Sequence, residues 1–430
     1  MVGALGGLLF GFDTVVISGT TGQLTALFHL TAAALGQTVS IALWGTVTGC
    51  LIAGAMGQRM GGRNALRVMA LLYFVSALGC AFAWSWPSLM VFRFIGGLGI
   101  GGSSVLGPVY IAELAPATWR GRLVGVFQIN VVIGILAAYL SNYIISSLGL
   151  GNAEWRWELG IAALPAAIFF VALYTIPQSP RWLITQGRSD AGLEVLRKMG
   201  SPEPDREFQE IVASLHEEGG KQRVPLFQRS LRLPIFLAIS IGLFNQLSGI
   251  NAILYYAGDI FRAAGFSKIS GNFQSVLIGA MNLIATLVGM SFIDKLGRKT
   301  LLLIGSVGTG ACLAGVAAIF YTQTHQNLLV WLLVAYIAFF AVSQGAVIWV
   351  YIAEVFPTKV RSKGQSLGSG SHWITNALIA AVFPIVAQRS GAAPFLLFAA
   401  MMVVQFLVVL FVYPETKAAT LEQLQEKLQR

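Results

Sequence analysis

Residues 300–353 read TLLLIGSVGTGACLAGVAAIFYTQTHQNLLVWLLVAYIAFFAVSQGAVIWVYIA, without a single Asp, Glu, Lys or Arg. A helix crossing the hydrocarbon core of a bilayer needs about 20 mostly apolar residues. The stretch therefore holds two crossings, joined where polar residues 322–327 interrupt it. Its residues do not alternate between polar and apolar, which excludes the strands of a closed barrel. Working outward, residues 14–58 form a second charge-free run of double length, with a turn near His29. Single crossings follow at 68–92, 123–153, 159–180, 233–258, 269–293, 364–388 and 390–414. The run 94–112 brings the total to about twelve. The expected fold class is an all-α membrane protein.

Composition agrees. Hydrophobic residues make up 56% of the 430-residue chain and charged residues 11%, against roughly 25% charged in a soluble domain. The net charge of +10 does not point to nucleic acid, because the basic residues sit in short clusters between apolar runs. Arg59, Arg63 and Arg67 form one cluster, Arg120 and Arg122 the next. Lys295, Arg298 and Lys299, then Lys359, Arg361 and Lys363, complete the set. Cytoplasmic loops carry such an excess of Lys and Arg, so both termini are expected in the cytoplasm of a multi-pass plasma (inner) membrane protein. The first crossing begins almost at Met1, with no charged leader and no cleavage site, and is read as a true span. Cys50, Cys80 and Cys312 each lie in an apolar run and read as buried thiols.

Residues 181–232 are polar and separate two groups of six crossings. Segments 190–198 and 207–218 read as short amphipathic helices broken by Ser201-Pro202-Glu203-Pro204. The expected organisation is an N-terminal six-helix half (1–178), a cytoplasmic helical linker (179–232), a C-terminal half (233–414) and a cytoplasmic tail (415–430), helical from 421. The halves echo each other. Gln58-Arg59-x-Gly61-Gly62-Arg63 resembles Asp294-Lys295-x-Gly297-Arg298-Lys299, and Glu113-x-x-Pro116-x-x-x-Arg120 has the spacing of Glu354-x-x-Pro357-x-x-x-Arg361. A doubled six-helix unit places a binding site between its halves near mid-membrane, which favours transport over a purely structural duplication.

Two sets of residues carry chemistry. Asp13 is the acid well inside the first span and Arg93 the base well inside the fourth. A charge at such depth costs at least about 2.5–3.5 kcal/mol, so the two face the bundle and pair. The pair is either structural or a proton site in which the carboxylate loads and Arg93 senses its charge. The second set is uncharged: Gln128; Asn245, Gln246, Asn251 and Tyr255; Asn282; Trp349; His372, Trp373 and Asn376. Amides both donate to and accept from hydroxyls, and Trp stacks on the apolar face of a sugar ring. Asn251 does not share a helical face with Gln246, and a break at Ser248-Gly249 is needed to turn both inward. His372 is expected to bond substrate as a neutral ring, with proton carriage as its alternative role. At the cytoplasmic ends, Arg63, Glu113, Arg120, Arg298, Glu354 and Arg361 are expected to form a latch, with Arg63 and Arg298 pairing with Glu113 and Glu354 across the halves. No nucleophile–base set and no metal-ligand spacing is present, so neither an enzyme nor a cofactor or metal is expected.

These residues resemble the sugar porters of the major facilitator superfamily. The strings that carry the resemblance are Gly11-Phe12-Asp13-Thr14, Arg93-Phe94-Ile95-Gly96-Gly97, Tyr110-Ile111-Ala112-Glu113-Leu114-Ala115-Pro116, Pro177-Gln178-Ser179-Pro180-Arg181-Trp182-Leu183, Gln246-Leu247-Ser248-Gly249-Ile250-Asn251 and Pro414-Glu415-Thr416-Lys417. They span the chain in the family's order. The resemblance implies the major-facilitator fold, a hexose or pentose as substrate, alternating access, and sugar contacts at Gln128, Gln246, Asn251, Asn282, Trp349 and Trp373. Where the chain departs from the family, Asn245 replaces a common Gln, and His372 replaces a Gln or Asn. Gln344, a further candidate contact, replaces a Trp of some bacterial xylose transporters, Gln58 an Asp, and Gln178 a Glu. The segment before the first span is shorter than the family's, which points to a start lying upstream. The expected function is proton–sugar symport by a monomer, with a proton-free facilitator as the alternative that Asp13 disfavours. A sugar sensor, which would carry a long cytoplasmic tail, ranks third.

Overall fold

The computed structural model describes residues 2–115, 119–201, 203–220, 225–357 and 360–417, leaving outside them the tail helix expected from residue 421. Twelve helices are long and apolar enough to cross a membrane among the described residues. Spans one to six are Val2–Phe28, Ala32–Met60, Gly62–Ala81, Trp86–Leu114, Arg122–Ser147 and Gly151–Ala172. Spans seven to twelve are Arg229–Tyr255, Lys268–Ile293, Arg298–Thr322, Gln326–Val355, Arg361–Arg389 and Ala393–Val412. Between the sets run three short helices, Pro180–Thr185, Ser189–Lys198 and Pro204–Gly220.

The turns fall where polar residues interrupt the apolar runs. His29 turns the chain at φ 50°, and Gln323 and His325 do so at 55° and 60°. Span six is displaced from its expected range of 159–180. It begins at Gly151 and takes Glu154, Arg156 and Glu158 into the helix. A charge can enter a span when it finds a partner: Arg156 donates to the Ala81 carbonyl at 2.7 Å.

The chain divides into two compact units that cut across its order. One comprises Met1–Thr14, Trp44–Ala138 and Arg156–Arg223, the other Val15–Leu43, Tyr139–Trp155 and Val224–Arg430. The first has a core around Leu66, Met69, Tyr73, Ile100, Tyr110 and Phe169. In it, spans one and five meet backbone to backbone. A methyl group added at Gly11 would overlap the Val131 carbonyl, and one at Gly134 the Leu8 carbonyl. Small residues permit such approach where no hydrophobic force joins helices in lipid. Replacing Gly11 by Ala forces these backbones apart and should destabilise the protein by about 1–3 kcal/mol, read as a lowered Tm in detergent. An unchanged Tm would contradict this packing. The second unit has its core around Leu237, Ile241, Leu301, Ile348, Tyr351 and Phe356.

Candidate functional site

In the first unit, Asp13 and Arg93 come together. One carboxylate oxygen, Oδ1, lies 3.8 Å from Arg93 Nη1, with side-chain exposures of 15% and 3%. That distance is attraction without a hydrogen bond. Asp13 Oδ2 and Arg93 Nε are buried with no hydrogen-bond partner. The space beside Oδ2 comes from Gly96, where a Cβ would stand 3.7 Å from it. A salt bridge that locked these spans would use the guanidinium fork and satisfy both oxygens. This pair leaves Asp13 Oδ2 buried and unbonded. Gln128, half-buried on span five, belongs to the same unit.

The second unit gathers most of the uncharged set around Gln246. Span seven breaks after Leu247, where Gly249 takes the left-handed φ of 85°. Ser248 Oγ donates back to the Asn245 carbonyl at 2.6 Å, and the Ser248 carbonyl accepts from Tyr336 Oη at 2.9 Å. Only glycine adopts that conformation without cost. The break swings Asn251 round, and its Nδ2 donates to Gln246 Oε1 at 3.0 Å. Gln246 Nε2 donates to Asn245 Oδ1 at 3.1 Å and lies 3.2 Å from both ring nitrogens of His372. An amide N–H gives a hydrogen bond, and a ring nitrogen of a neutral imidazole can accept it. Trp349 and Trp373 flank the imidazole, with ring centroids 5.1 and 5.0 Å away. One turn along, Asn376 Nδ2 donates to Tyr255 Oη at 2.9 Å. Trp349 is 38% exposed while Gln246 is 2% exposed. The indole is thus partly exposed beside the imidazole, while the amide is buried and bonded.

Two candidates are not brought into this cluster. Asn282 is buried in span eight, and among the described residues no hydrogen bond joins it to the cluster. Gln344 faces another neighbour. Span ten contains a π-helical turn at Ala341–Gly345, whose extra residue rotates the helix beyond it. Gln344 Nε2 consequently donates to Met402 Sδ of span twelve at 3.3 Å, and its Oε1 is buried without a partner.

Of the charged latch residues, the described pair lies within the second unit, between Arg298 and Glu354. Gly297, at φ 87°, turns the chain into span nine and folds Arg298 back onto the end of span ten. Its Nη2 and Nε reach the two oxygens of Glu354 at 2.9 and 3.2 Å, and Thr416 Oγ1 donates to Glu354 at 2.6 Å. Arg63 Nη1 instead donates to the Ile176 carbonyl at 3.1 Å, and its backbone N–H to Gln178 Oε1 at 3.0 Å. Glu113 and Arg361 are half-buried, and the side chain of Arg120 is not among those described.

Glu415 and Gln178 play matching parts. Glu415 accepts backbone N–H bonds from Arg298 and Lys299 at 2.9 and 3.0 Å, capping span nine. Burial pushes its carboxyl up, but the N–H donors of Lys417, Arg298, Lys299 and Thr416 outweigh this and hold it below its usual value. A depressed carboxyl stabilises the fold above its unfolded pKa and loses that effect as pH falls through the folded value. Glu415→Gln should lower the Tm at neutral pH, and the difference from the parent protein should shrink below about pH 4. A pH-independent difference would contradict the capping role.

Sequence reasoning missed a polar group at the opposite ends of the spans. Glu154, Lys268, Gln23, Asp259 and Arg262 are bonded to one another or to spans nearby. Glu158, buried completely in span six, was missed too. The available signal was the presence of charges flanking apolar runs, which reads equally as loop polarity.

The profile of the family described as "Sugar (and other) transporter" matches residues 1–428. The D-xylose-proton symporter of Escherichia coli (strain K12) is 34% identical, covering 99% of this chain and 94% of its own. The arabinose-proton symporter of Bacillus subtilis (strain 168) is 35% identical, covering 98% and 92%. Among solved structures, the inward open conformation of the E. coli xylose transporter superposes with a TM-score of 0.88 at 32% identity, over 99% of this chain and 98% of that one. The same protein's complex with 6-bromo-6-deoxy-D-glucose gives 0.79 at 33% identity, over 100% and 98%.

Proposed function

The chain belongs to the sugar porter family of the major facilitator superfamily, a family of membrane transporters and not of enzymes, and from that premise we propose that it carries a monosaccharide, pentose or hexose, together with a proton. The observation that carries the reading is the cluster on spans seven, ten and eleven. Amides and a neutral imidazole offer donors and acceptors to hydroxyl groups. Trp349 offers a flat apolar face, and the Gln246 amide bonds to the uncharged side chains of Asn245 and Asn251. A neutral polyol is the ligand such a site suits. The similar proteins that transport xylose and arabinose with protons support both halves of the reading.

In this account Asp13 carries the proton and Arg93 responds to its charge. The six-span sets 1–178 and 233–414 rock about the site, with both termini in the cytoplasm of the plasma membrane and the protein working as a monomer. The test of substrate is uptake of labelled xylose, arabinose and glucose into proteoliposomes under an imposed proton gradient. At least one should accumulate and be displaced by its unlabelled form. Failure of every pentose and hexose would remove the reading.

A further inference from the structure

Alternation of the spans puts the ends of spans one, five and seven and the starts of spans six and eight on the membrane face opposite the linker. Within the second unit, these ends are held together by polar bonds that the sugar and proton sites do not use. Glu154, at the start of span six, accepts from Lys268 Nζ of span eight at 2.7 Å through Oε1. Its Oε2 accepts from Gln23 Nε2 of span one at 3.0 Å. Gln23 Oε1 in turn accepts the Trp155 backbone N–H at 2.9 Å. The ion pair is well shielded, with side-chain exposures of 8% for Glu154 and 26% for Lys268. Beside it, Arg262 is paired with Asp259 and donates to Thr21 Oγ1 of span one at 3.1 Å. Asn272 Nδ2 of span eight donates to Ser146 Oγ of span five at 3.0 Å.

We propose that Glu154, Lys268 and Gln23 form an ionic lock that holds the linker-distal mouth shut, and that it must break each time the mouth opens. Spans one and six belong to the first six-span set and span eight to the second. Movement of the sets about a central site therefore pulls Glu154 away from Lys268. A shielded pair loses much when one partner goes, because the other charge is left uncompensated. Bonds that exist in only one of two states set the balance between those states. Asp259 and Arg262, on the short helix Ala257–Ala263 that follows span seven, act alongside through Thr21 of span one. Glu154 bonds to Lys268 and Gln23 while Gln246 bonds to Asn245 and Asn251, so the lock's strength sets how often the mouth opens and not what enters.

The proposal rests on alternating access, and the experiment reads geometry without requiring transport. Spin labels at Leu27 and Leu328, both about half exposed, report the width of the mouth in purified, full-length protein. In Lys268→Met and Glu154→Gln the ratio of wide to narrow populations should rise roughly tenfold or more, since the shielded ion pair of the narrow state is lost. Lys268→Arg should keep the narrow population. The exchanged pair Glu154→Lys with Lys268→Glu should restore it, which also separates a lost lock from a lost fold. Unchanged distances in both single variants overturn the lock. Failure of the exchanged pair to restore a narrow mouth overturns its ionic nature. A protein that shows these distance changes but never moves sugar leaves the lock standing and removes the transport reading.

Discussion

Asp13→Asn should abolish accumulation of sugar against its gradient while leaving sugar exchange across the membrane intact. Asparagine matches aspartic acid in size and cannot release a proton. In the structure the carboxylate is held by attraction at 3.8 Å, with one oxygen unbonded. It can therefore be neutralised without dismantling a hydrogen-bonded network. Arg93, 3% exposed in its side chain, then loses its counter-charge. Removing one member of a buried pair costs about 3–5 kcal/mol, so protein yield and Tm should be measured alongside. Asp13→Glu, which keeps the acid, should retain some accumulation. An Asp13→Asn protein that folds and still concentrates sugar places the coupling elsewhere.

Gln246→Ala should weaken sugar binding by about 1–3 kcal/mol, or roughly 5–150-fold in Kd. The amide bonds to Asn245, Asn251 and His372. Its loss frees all three from their orientations and leaves donors and acceptors unpaired in a site where Gln246 itself is only 2% exposed. Much of the effect comes from disordered neighbours, so Asn251→Ala in the Gln246→Ala background should add less than it does alone. Equal affinity in a folded Gln246→Ala protein, measured by calorimetry, removes the cluster as the sugar site.

Much of this was readable from residue types alone. Runs free of charge located the spans because lipid excludes unpaired charge, and the turn at His29 followed from length. The break at Ser248-Gly249 was required by Gln246 and Asn251 falling on different helical faces, and Gly249 supplies it. Three features were not readable. The π turn in span ten that sends Gln344 toward Met402 depends on packing against neighbouring spans, which no local propensity encodes. The pairing of Arg298 with Glu354 inside one half depends on the direction taken after Gly297. Glu154 and Lys268 sit 114 residues apart at the ends of apolar runs, where a charge ordinarily means solvent. Their partnership appears only once spans six and eight are side by side.

The central claim, that sugar and proton move together through this chain, is tested most directly by adding sugar to proteoliposomes that enclose a pH-sensitive dye, with no gradient imposed beforehand. The account predicts that sugar flowing inward acidifies the lumen, that an unlabelled non-substrate does not, and that Asp13→Asn moves sugar with no pH change. Sugar entry by the parent protein without any change in luminal pH would contradict it and establish a facilitator in which Asp13 is only the structural partner of Arg93.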